Sequence, residues 1–576
     1  MEHATPEESA AAAHPPLSEE LRARLASYGT PRDVIAGDLV FGAGDEAPDL
    51  VLVVEGSVDL VQAATVNQPE EILWSFQPGD FVGELNLLTG QRISLIGRVA
   101  EAGRVVQVPQ ASFRRLMADE PDLSDILLRA FMARRDKLKN GPGARGLEII
   151  GTPYSAASLA LRTFAARSQL AHTWFDADSV DGQSLMRAAE LTATDLPAVI
   201  LSELVTKSAT PGELAEQLGL SAPRGSDAVV DLAVIGAGPA GLAAAMYGAS
   251  EGLSTVLLEA VGTGGQAAAS SRIENYLGFP SGLSGADLAA RAMVQAEKFG
   301  ARLYSPCKVV QLDCGGGPLR LTLDDGTVVR ARSAIIASGA HYRSLPLPGW
   351  SAFEGAGIYY AATELEARAC GAGPVTVIGG ANSSGQAALY LAERGAQVTI
   401  AVRRPELEST MSAYLVDRLK AHRRVSIRTS TEVTALHGDD SLTAVTLTSR
   451  TDGETVQQSC QGLFCFIGAE PATGWLHTSG TPAEDDAAAD GGAHAAGPRI
   501  LTDSAGFVLT DTMLDPETLS ESYALLGRGP LPFETSVPAV FAAGDVRHGS
   551  MKRVAAAVGE GASAVRSVHA AINPQG

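Results

Sequence analysis

Two glycine-rich turns carry most of the residue types with which this chain could do chemistry. The first lies in AVVDLAVIGAGPAGLAAAMYGASEGLSTVLLE. Gly236, Gly238 and Gly241 form a Gly-x-Gly-x-x-Gly there, with Pro239 and Ala240 between the last two glycines. An apolar run precedes the glycines, an Ala-rich helical pattern follows, and Glu259 stands 23 residues after the first glycine. In a strand–turn–helix the first glycine permits the tight turn, the second lets a pyrophosphate approach the backbone, and the third lets helix and strand pack closely. Free N–H groups and the helix dipole then favour a diphosphate. The Glu259 carboxylate suits both ribose hydroxyls of an adenosine without a 2′-phosphate. The competing reading is a turn that only packs.

The second stretch, PVTVIGGANSSGQAALYLAERGAQVTIAVRRPE (374–406), repeats the logic with Gly379, Ala381 and Ser384 at the three glycine positions. Gly380, Asn382, Ser383 and Ser384 are its candidate cofactor contacts. No acid ends the next strand; Arg403 and Arg404 do. Guanidinium forks match a phosphate bidentately, so this cradle favours the 2′-phosphate of NADPH over NADH. The bland reading is a pair of solvated arginines.

In order along the chain, VIGAGPAGLAAA, GGQAAASSRIENYLGFPSGLSGADL (264–288), IIASGAHYRSLPLPG (335–349) and SVPAVFAAGDVRHGSMKRVAAAVGEGA (536–562) resemble the bacterial thioredoxin-reductase group of two-domain flavoproteins. The resemblance implies FAD on the first cradle. It places Gly265, Gln266 and Asn275 near the isoalloxazine and the diphosphate. Ala337, Ser338 and Gly339 take the place of the family's Ala-Thr-Gly turn. Gly544 and Asp545 would meet the ribitol chain, and Arg553 and Val554 the flavin edge. With FAD and NADPH bound, hydride passes between cofactors and no catalytic side chain is required. The resemblance also implies a rotating NADPH domain, with hinges near 342–345 and 461–468.

The family's redox dithiol precedes the second cradle. Here that stretch reads Tyr360-Ala361-Ala362-Thr363-Glu364, with Ala361 and Glu364 at the cysteine positions. Neither attacks a disulfide. Cys460 and Cys465, in CQGLFCFIG, read as buried small apolar residues. The expected function is an NADPH-oxidising, FAD-dependent oxidoreductase that passes electrons to a non-thiol acceptor. The alternatives are a thioredoxin-disulfide reductase using distant thiols and a non-enzymatic NADPH/flavin redox sensor.

Upstream, PGDFVGELNLLTGQRISLIGRV (78–99) resembles the phosphate cassette of cyclic-nucleotide-binding domains, with Gly83, Glu84, Leu85 and Arg92 at matching positions. The resemblance implies Glu84 on a ribose 2′-hydroxyl and Arg92 on a cyclic phosphate. A cyclic nucleotide or another small anionic effector is the expected partner. No Pro precedes Arg92, and Ile93-Ser94-Leu95 replaces the usual small residues. Glu84 and Arg92 therefore also read as a structural ion pair. In the middle of the chain, Thr152-Pro153-Tyr154-Ser155 and Leu196-Pro197 resemble a glutaredoxin or thioredoxin fold. Thr152 and Ser155 stand where that family has cysteines, which implies a docking or spacing module.

These residues need a multidomain frame. We expect a disordered tail over 1–16, a β-roll cyclic-nucleotide-binding-like domain over 17–140 and a small thioredoxin-like α/β domain over 147–221. A Rossmann-like FAD domain over 228–343 and 464–576 would follow, with a Rossmann-like NADPH domain inserted over 344–463. Within the first unit, 51–61 reads as strands with a glycine turn and 112–139 as helix. The Ala/Asp/Gly-rich segment 481–498 reads as a floppy insertion. A net charge of −22 over 576 residues disfavours nucleic acid and anionic lipid as partners. Five cysteines and no Cys-x-x-Cys fit a reducing compartment without a disulfide scaffold or metal site. The N-terminus lacks signal-peptide character, and the uncharged run 232–250 is interrupted by its glycine turn. The expected setting is cytoplasmic, with no membrane partner and a possible homodimer.

Overall fold

A computed structural model describes residues 12–45, 48–66, 68–84, 86–202, 204–270, 273, 275–315, 317–354, 356–360, 362, 364–439, 441–477, 499–519 and 521–573. Most of the expected tail and the expected insertion lie outside these residues. Residues 12–16 do not form a loose tail. Ala13 is buried and its carbonyl accepts from the buried Arg134 guanidinium at 2.8 Å.

The N-terminal unit opens with α1 (Glu19–Ser27), capped by the Ser18 hydroxyl. Its antiparallel sheet comprises β1 (Thr30–Val34), β2 (Leu39–Phe41), β3 (Leu50–Gln62), β4 (Glu71–Phe76), β5 (Phe81–Val82) and β6 (Leu95–Val108). The short helix α2 (Asn86–Thr89) interrupts it before β6. The glycine expected to turn the 51–61 segment instead sits in a bulge of one continuous strand. Gly56 has φ +79°, and a Cβ there would lie 2.4 Å from the Glu101 carbonyl oxygen. Two helices follow where one was expected, α3 (Gln110–Asp119) and α4 (Pro121–Asn140). Pro121 cannot donate to the preceding turn, so it ends one helix and opens the next.

The middle unit has β7 (Leu147–Gly151), α5 (Ala156–Arg167), β8 (Thr173–Asp176), α6 (Val180–Ala188), β9 (Ala198–Leu201), β10 (Leu204–Thr206) and α7 (Pro211–Gln217). Its sheet order is β10-β9-β7-β8, with β7 parallel to β8 and antiparallel to β9. A parallel pair joined by α5 and closed by an antiparallel hairpin buries Leu161 and Phe164 of α5 against Ile149 and Val199.

The third unit is built on β11 (Val229–Ile235), α8 (Pro239–Ser250), β12 (Thr255–Leu258), α9 (Gly285–Lys298), β13 (Arg302–Tyr304), β14 (Val309–Asp313), β15 (Leu319–Leu323) and β16 (Val328–Ile336). The chain then leaves through β17 (Ala340–Tyr342) into an inserted unit. That unit holds β18 (Ile358–Tyr359), α10 (Glu364–Cys370), β19 (Pro374–Ile378), α11 (Asn382–Glu393), β20 (Gln397–Ala401), α12 (Ala413–Ala421) and β21 (Val425–Arg428). After β22 (Thr431–Gly438), β23 (Leu442–Ser449), β24 (Thr455–Ser459) and β25 (Gly462–Cys465), the chain returns through β26 (Ala469–Pro471) to β27 (Val540–Ala542) and α13 (Val554–Ile572).

Strands β13, β12, β11, β16 and β27 lie parallel in that order, and β14 and β15 extend the sheet as an antiparallel flap. The inserted sheet, β18-β25-β19-β20-β21, is parallel throughout. The expected boundary between 463 and 464 would cut β25. Phe464 and Cys465 pair with Val377 and Ile378, so the inserted unit runs through Cys465. No helix among the described residues is long and apolar enough to cross a membrane.

Candidate functional site

The first cradle forms where the parallel strands end. Gly236 has φ +100°, and a Cβ on it would lie 2.5 Å from the Ala337 carbonyl oxygen. A Cβ on Gly241 would fall 1.8 Å from the Gly236 oxygen, so α8 meets the turn with no room for a side chain. At Gly238, the N-cap of α8, an added Cβ meets nothing within 4 Å. That open side, at the N-terminus of a 12-residue helix opened by Pro239, is where a diphosphate fits. Ala240 packs under the turn, against a Cβ position on Gly544 only 2.8 Å away.

The other strand ends close around this turn. Gly264 donates to the Ala237 carbonyl at 2.7 Å, and a Cβ on Gly265 would lie 3.0 Å from Gly238 Cα. Gln266 donates its side-chain amide to the Ala340 carbonyl. The Ala337 N–H donates to Ile235, and the Ser338 hydroxyl donates to the Ala472 carbonyl at 2.9 Å. Gly339 takes φ +70° at the head of the exit strand. The loop of Gly544 and Asp545 follows β27, and burial raises the Asp545 carboxyl above its ordinary value. Val554 is half-buried at the start of α13, whereas Arg553 and Asn275 are exposed.

Glu259 is already engaged inside the protein. It is buried, and its carboxylate accepts from the N–H groups of Ala237 at 2.6 Å, Val261 at 2.9 Å and Gly262 at 3.3 Å. It therefore ties the end of β12 to the glycine turn. Glu560 of α13 was not singled out from sequence. Its carboxylate accepts from the Gly544 N–H at 2.8 Å and from the Arg547 guanidinium, so it fixes the second turn. The available signal was an acid inside the Ala/Gly/Val-rich first turns of the helix.

In the inserted unit, Gly379 has φ +133°, and Ala381 is the N-cap of α11. Ser384 is buried and donates its hydroxyl to the Ala381 carbonyl at 2.6 Å, so the turn absorbs a side chain where a glycine was expected. Gly380 approaches Val402, at 3.0 Å from an added Cβ. Asn382 is engaged from both sides by Ser412, while Ser383 is exposed. Arg403 and Arg404 follow β20 and are both exposed.

The thiols lie elsewhere. Ala361 lies outside the described residues, and Glu364 opens α10. Cys307, Cys370, Cys460 and Cys465 are buried and Cys314 is half-buried, all unpaired. Burial pushes the thiols of Cys370 and Cys465 up to about 12 and that of Cys307 to about 11. Cys314 is likewise pushed to about 12, and Cys460 is raised.

At the N-terminal site, Leu85 lies outside the described residues. The partner of Glu84 is Arg135 of α4, not Arg92. The buried Glu84 carboxylate accepts through both oxygens from Arg135, whose guanidinium also donates to Asn86 Oδ1 at 2.7 Å. Burial pulls the Arg135 guanidinium down, and Glu84, with Glu297 and Asp136, more than offsets this, for a net rise. Sequence reasoning missed Arg135, which looks like one more basic residue on an amphipathic helix. Gly83 gives its carbonyl to Arg134. The Arg92 main-chain N–H donates to Leu218 of the middle unit at 2.9 Å.

Comparison with known proteins gives two matches by family. Residues 230–490 match the pyridine nucleotide-disulphide oxidoreductase model, and residues 31–120 match the cyclic nucleotide-binding domain model. The chain is 35% identical over 246 residues to a thioredoxin reductase of Streptomyces clavuligerus, covering 42% of this chain and 75% of that one. It is 30% identical over 343 residues to one from Treponema pallidum (strain Nichols), covering 58% of this chain and 95% of the relative. The solved thioredoxin reductase of T. acidophilum aligns at 28% identity with a TM-score of 0.49, over 59% of this chain and 98% of that one.

Proposed function

The chain belongs to the thioredoxin-reductase family of NADPH-dependent, FAD-containing oxidoreductases and also carries a cyclic nucleotide-binding domain; from that premise we propose that it passes electrons from NADPH to an acceptor that is not reduced through a local dithiol. When bound, FAD and NADPH supply the hydride chemistry. The chain's own residues bind and orient. Gly236, Gly238 and Gly241 admit the FAD diphosphate, Glu259 holds the turn that receives the adenosine, and Asp545 faces the ribitol. Gly380 and the N-terminus of α11 receive the NADPH diphosphate, and Arg403 and Arg404 select its 2′-phosphate. The domains are read as 12–140, 147–221, 228–343 with 466–573, and 344–465. The middle one is read as a thioredoxin-like fold in which Ser155 serves as the N-cap of α5 rather than as a nucleophile. The N-terminal domain is read as the seat of a small effector.

The observation that carries the non-thiol acceptor is the state of the cysteines. All five have their thiols raised by burial, and the positions matching the family's dithiol are Ala361 and Glu364. A thiol that high is not a thiolate at neutral pH and does not attack a disulfide. The test replaces all five cysteines by alanine, with flavin content as the control for folding. NADPH-driven reduction of a dye should stay within about twofold of the parent, because the hydride path uses no thiol. Thioredoxin reduction by the parent at rates matching dye reduction, lost in the alanine protein, would overturn the proposal.

A further inference from the structure

Helix α5 of the middle unit ends against the flavin unit. The last carbonyls of an α-helix have no partner inside the helix. At α5 one of them, the Arg167 carbonyl, accepts from the Thr263 hydroxyl of the flavin unit at 2.5 Å. Thr263 is buried and Arg167 is half-buried. The Arg167 side chain lies along the neighbouring residue. A Cβ added to Gly262 would fall 2.7 Å from Arg167 Cβ and 3.1 Å from its Cδ. The φ of Gly262 lies outside the left-handed region, so the Arg167 stem, and not the backbone, excludes a side chain there.

Gly262 and Thr263 belong to the segment that wraps the first glycine turn. Glu259 opens that segment and ties Ala237, Val261 and Gly262 together through their N–H groups. Gly264 bonds to the Ala237 carbonyl, and Gly265 lies against Gly238 at the start of α8. Residues 259–265 therefore form a rim from the acid on the adenosine side to the diphosphate turn. The end of α5 sits on the middle of this rim. It is also held from behind. Two residues after Arg167, the Gln169 carbonyl accepts from Arg135 at 3.3 Å and Gln169 Oε1 accepts from the Lys139 ammonium at 2.7 Å, both from α4 of the N-terminal unit. A further tie lies past α7, where the Ser305 N–H donates to the Leu220 carbonyl at 3.1 Å. The end of α5 is gripped between two units and bears on the rim as a fixed wall.

We propose that the middle unit is a working part of the FAD cradle. Arg167, through its carbonyl and its side-chain stem, positions Gly262 and Thr263, and with them the rim that receives the adenosine and diphosphate of the cofactor. It acts through the loop and is a positioning residue. The proposal rests on FAD occupying the first cradle, and it gives the middle unit, which has Thr152 and Ser155 where its fold family has cysteines, a task in holding that cofactor.

The test measures FAD release from the full-length holoprotein, read as the rise in FAD fluorescence over a dilution series without NADPH. Gly262→Ala sets a methyl against the Arg167 stem and should weaken FAD binding by about tenfold or more. Arg167→Gly removes the stem, leaves the carbonyl and should weaken binding by about threefold, since glycine is tolerated at the C-terminal end of a helix. The two together should bind FAD as Arg167→Gly alone does, because the methyl then has room. Thr263→Val keeps the shape of the side chain, leaves the Arg167 carbonyl unpaired and should weaken binding by about fivefold or more. A Gly262→Ala loss that is the same with and without Arg167→Gly would put the methyl against the cofactor or the loop itself and overturn the proposal. Parental affinity in both Gly262→Ala and Thr263→Val would overturn it as well. Should Gly262→Ala fail to fold, Thr263→Val decides alone, and parental affinity there overturns the proposal. In each of these outcomes the parent holds FAD; a parent that holds none refutes the reading of the first cradle instead.

Discussion

Arg403 and Arg404 stand exposed just after β20, where the acid of an NADH-selective cradle would be. A guanidinium–phosphate hydrogen bond contributes about 1.5–3 kcal/mol. Removing both, as Arg403→Ala with Arg404→Ala, should lower kcat/KM for NADPH by about ten- to a hundredfold and leave NADH little changed. Steady-state kinetics with both nucleotides checks this, and an equal loss for both would sink the assignment. At this scale the cradles were legible because they are written in residues with few conformational or chemical substitutes. Gly236 at φ +100° and Gly241 against a carbonyl leave no alternative to glycine. Glu84 was legible only in part. Its partner Arg135 lies 51 residues away, a distance over which no local spacing carries information. Glu259 reads from sequence as a ribose ligand; its three backbone N–H partners show that it builds the turn. Glu259→Gln should therefore loosen FAD as well as discriminate against it, read as flavin lost on gel filtration.

Helix α9 links the flavin unit to the N-terminal unit. Val294 joins the apolar core of the N-terminal unit, and α2 of the cassette packs on α9. Beneath this contact lies Glu297, buried, with Oε2 lacking a hydrogen-bond partner among the described residues. Burial pushes its carboxyl up to about 8, against the opposing pull of Arg135 and Arg302. A carboxyl raised on folding contributes its full stability below its ordinary value of 4.5, and that contribution is lost as pH rises through 8. Glu297→Gln should thus melt close to the parent near about pH 5 and a few degrees above it near about pH 9, by differential scanning calorimetry. An unchanged difference across that range would refute the argument. Neither this contact nor the break at Pro121 was read from sequence. The helical periodicity of 112–139 runs through both α3 and α4, and the apolar face of α9 reads as ordinary core. Periodicity reports that a face is buried and is silent on which unit buries it.

Over the whole molecule, the two proposed cofactor cradles lie on separate units and must meet for hydride to pass, and among the described residues a narrow two-stranded ribbon joins those units. Strands β17 and β26 pair over three positions, Ala340 with Pro471, His341 with Glu470 and Tyr342 with Ala469. Immediately beyond, the Arg343 N–H donates to the Gly468 carbonyl at 3.0 Å, and the Arg343 guanidinium faces Glu470 at 3.5 Å. The insertion itself was legible, because the strand–turn–helix pattern restarts at Pro374 before the first pattern is complete. Its second hinge was placed too early, since Gln461 already donates to the Pro374 carbonyl inside the inserted unit. That leaves 466–468 as the return segment between β25 and β26. Gly468 takes φ +103°, a conformation that L side chains avoid, and a Cβ there meets nothing within 4 Å. A Gly468→Val substitution would therefore act through backbone preference and not through a clash, biasing the ribbon away from its present geometry. Hinge substitutions of this kind change rates without touching the chemistry. The bleaching of the flavin by NADPH in anaerobic stopped flow should slow by about several-fold, while bleaching by dithionite, which needs no domain motion, keeps its parental rate. Equal slowing with both reductants would place the defect at the flavin cradle and remove the ribbon from the account of how the two units meet.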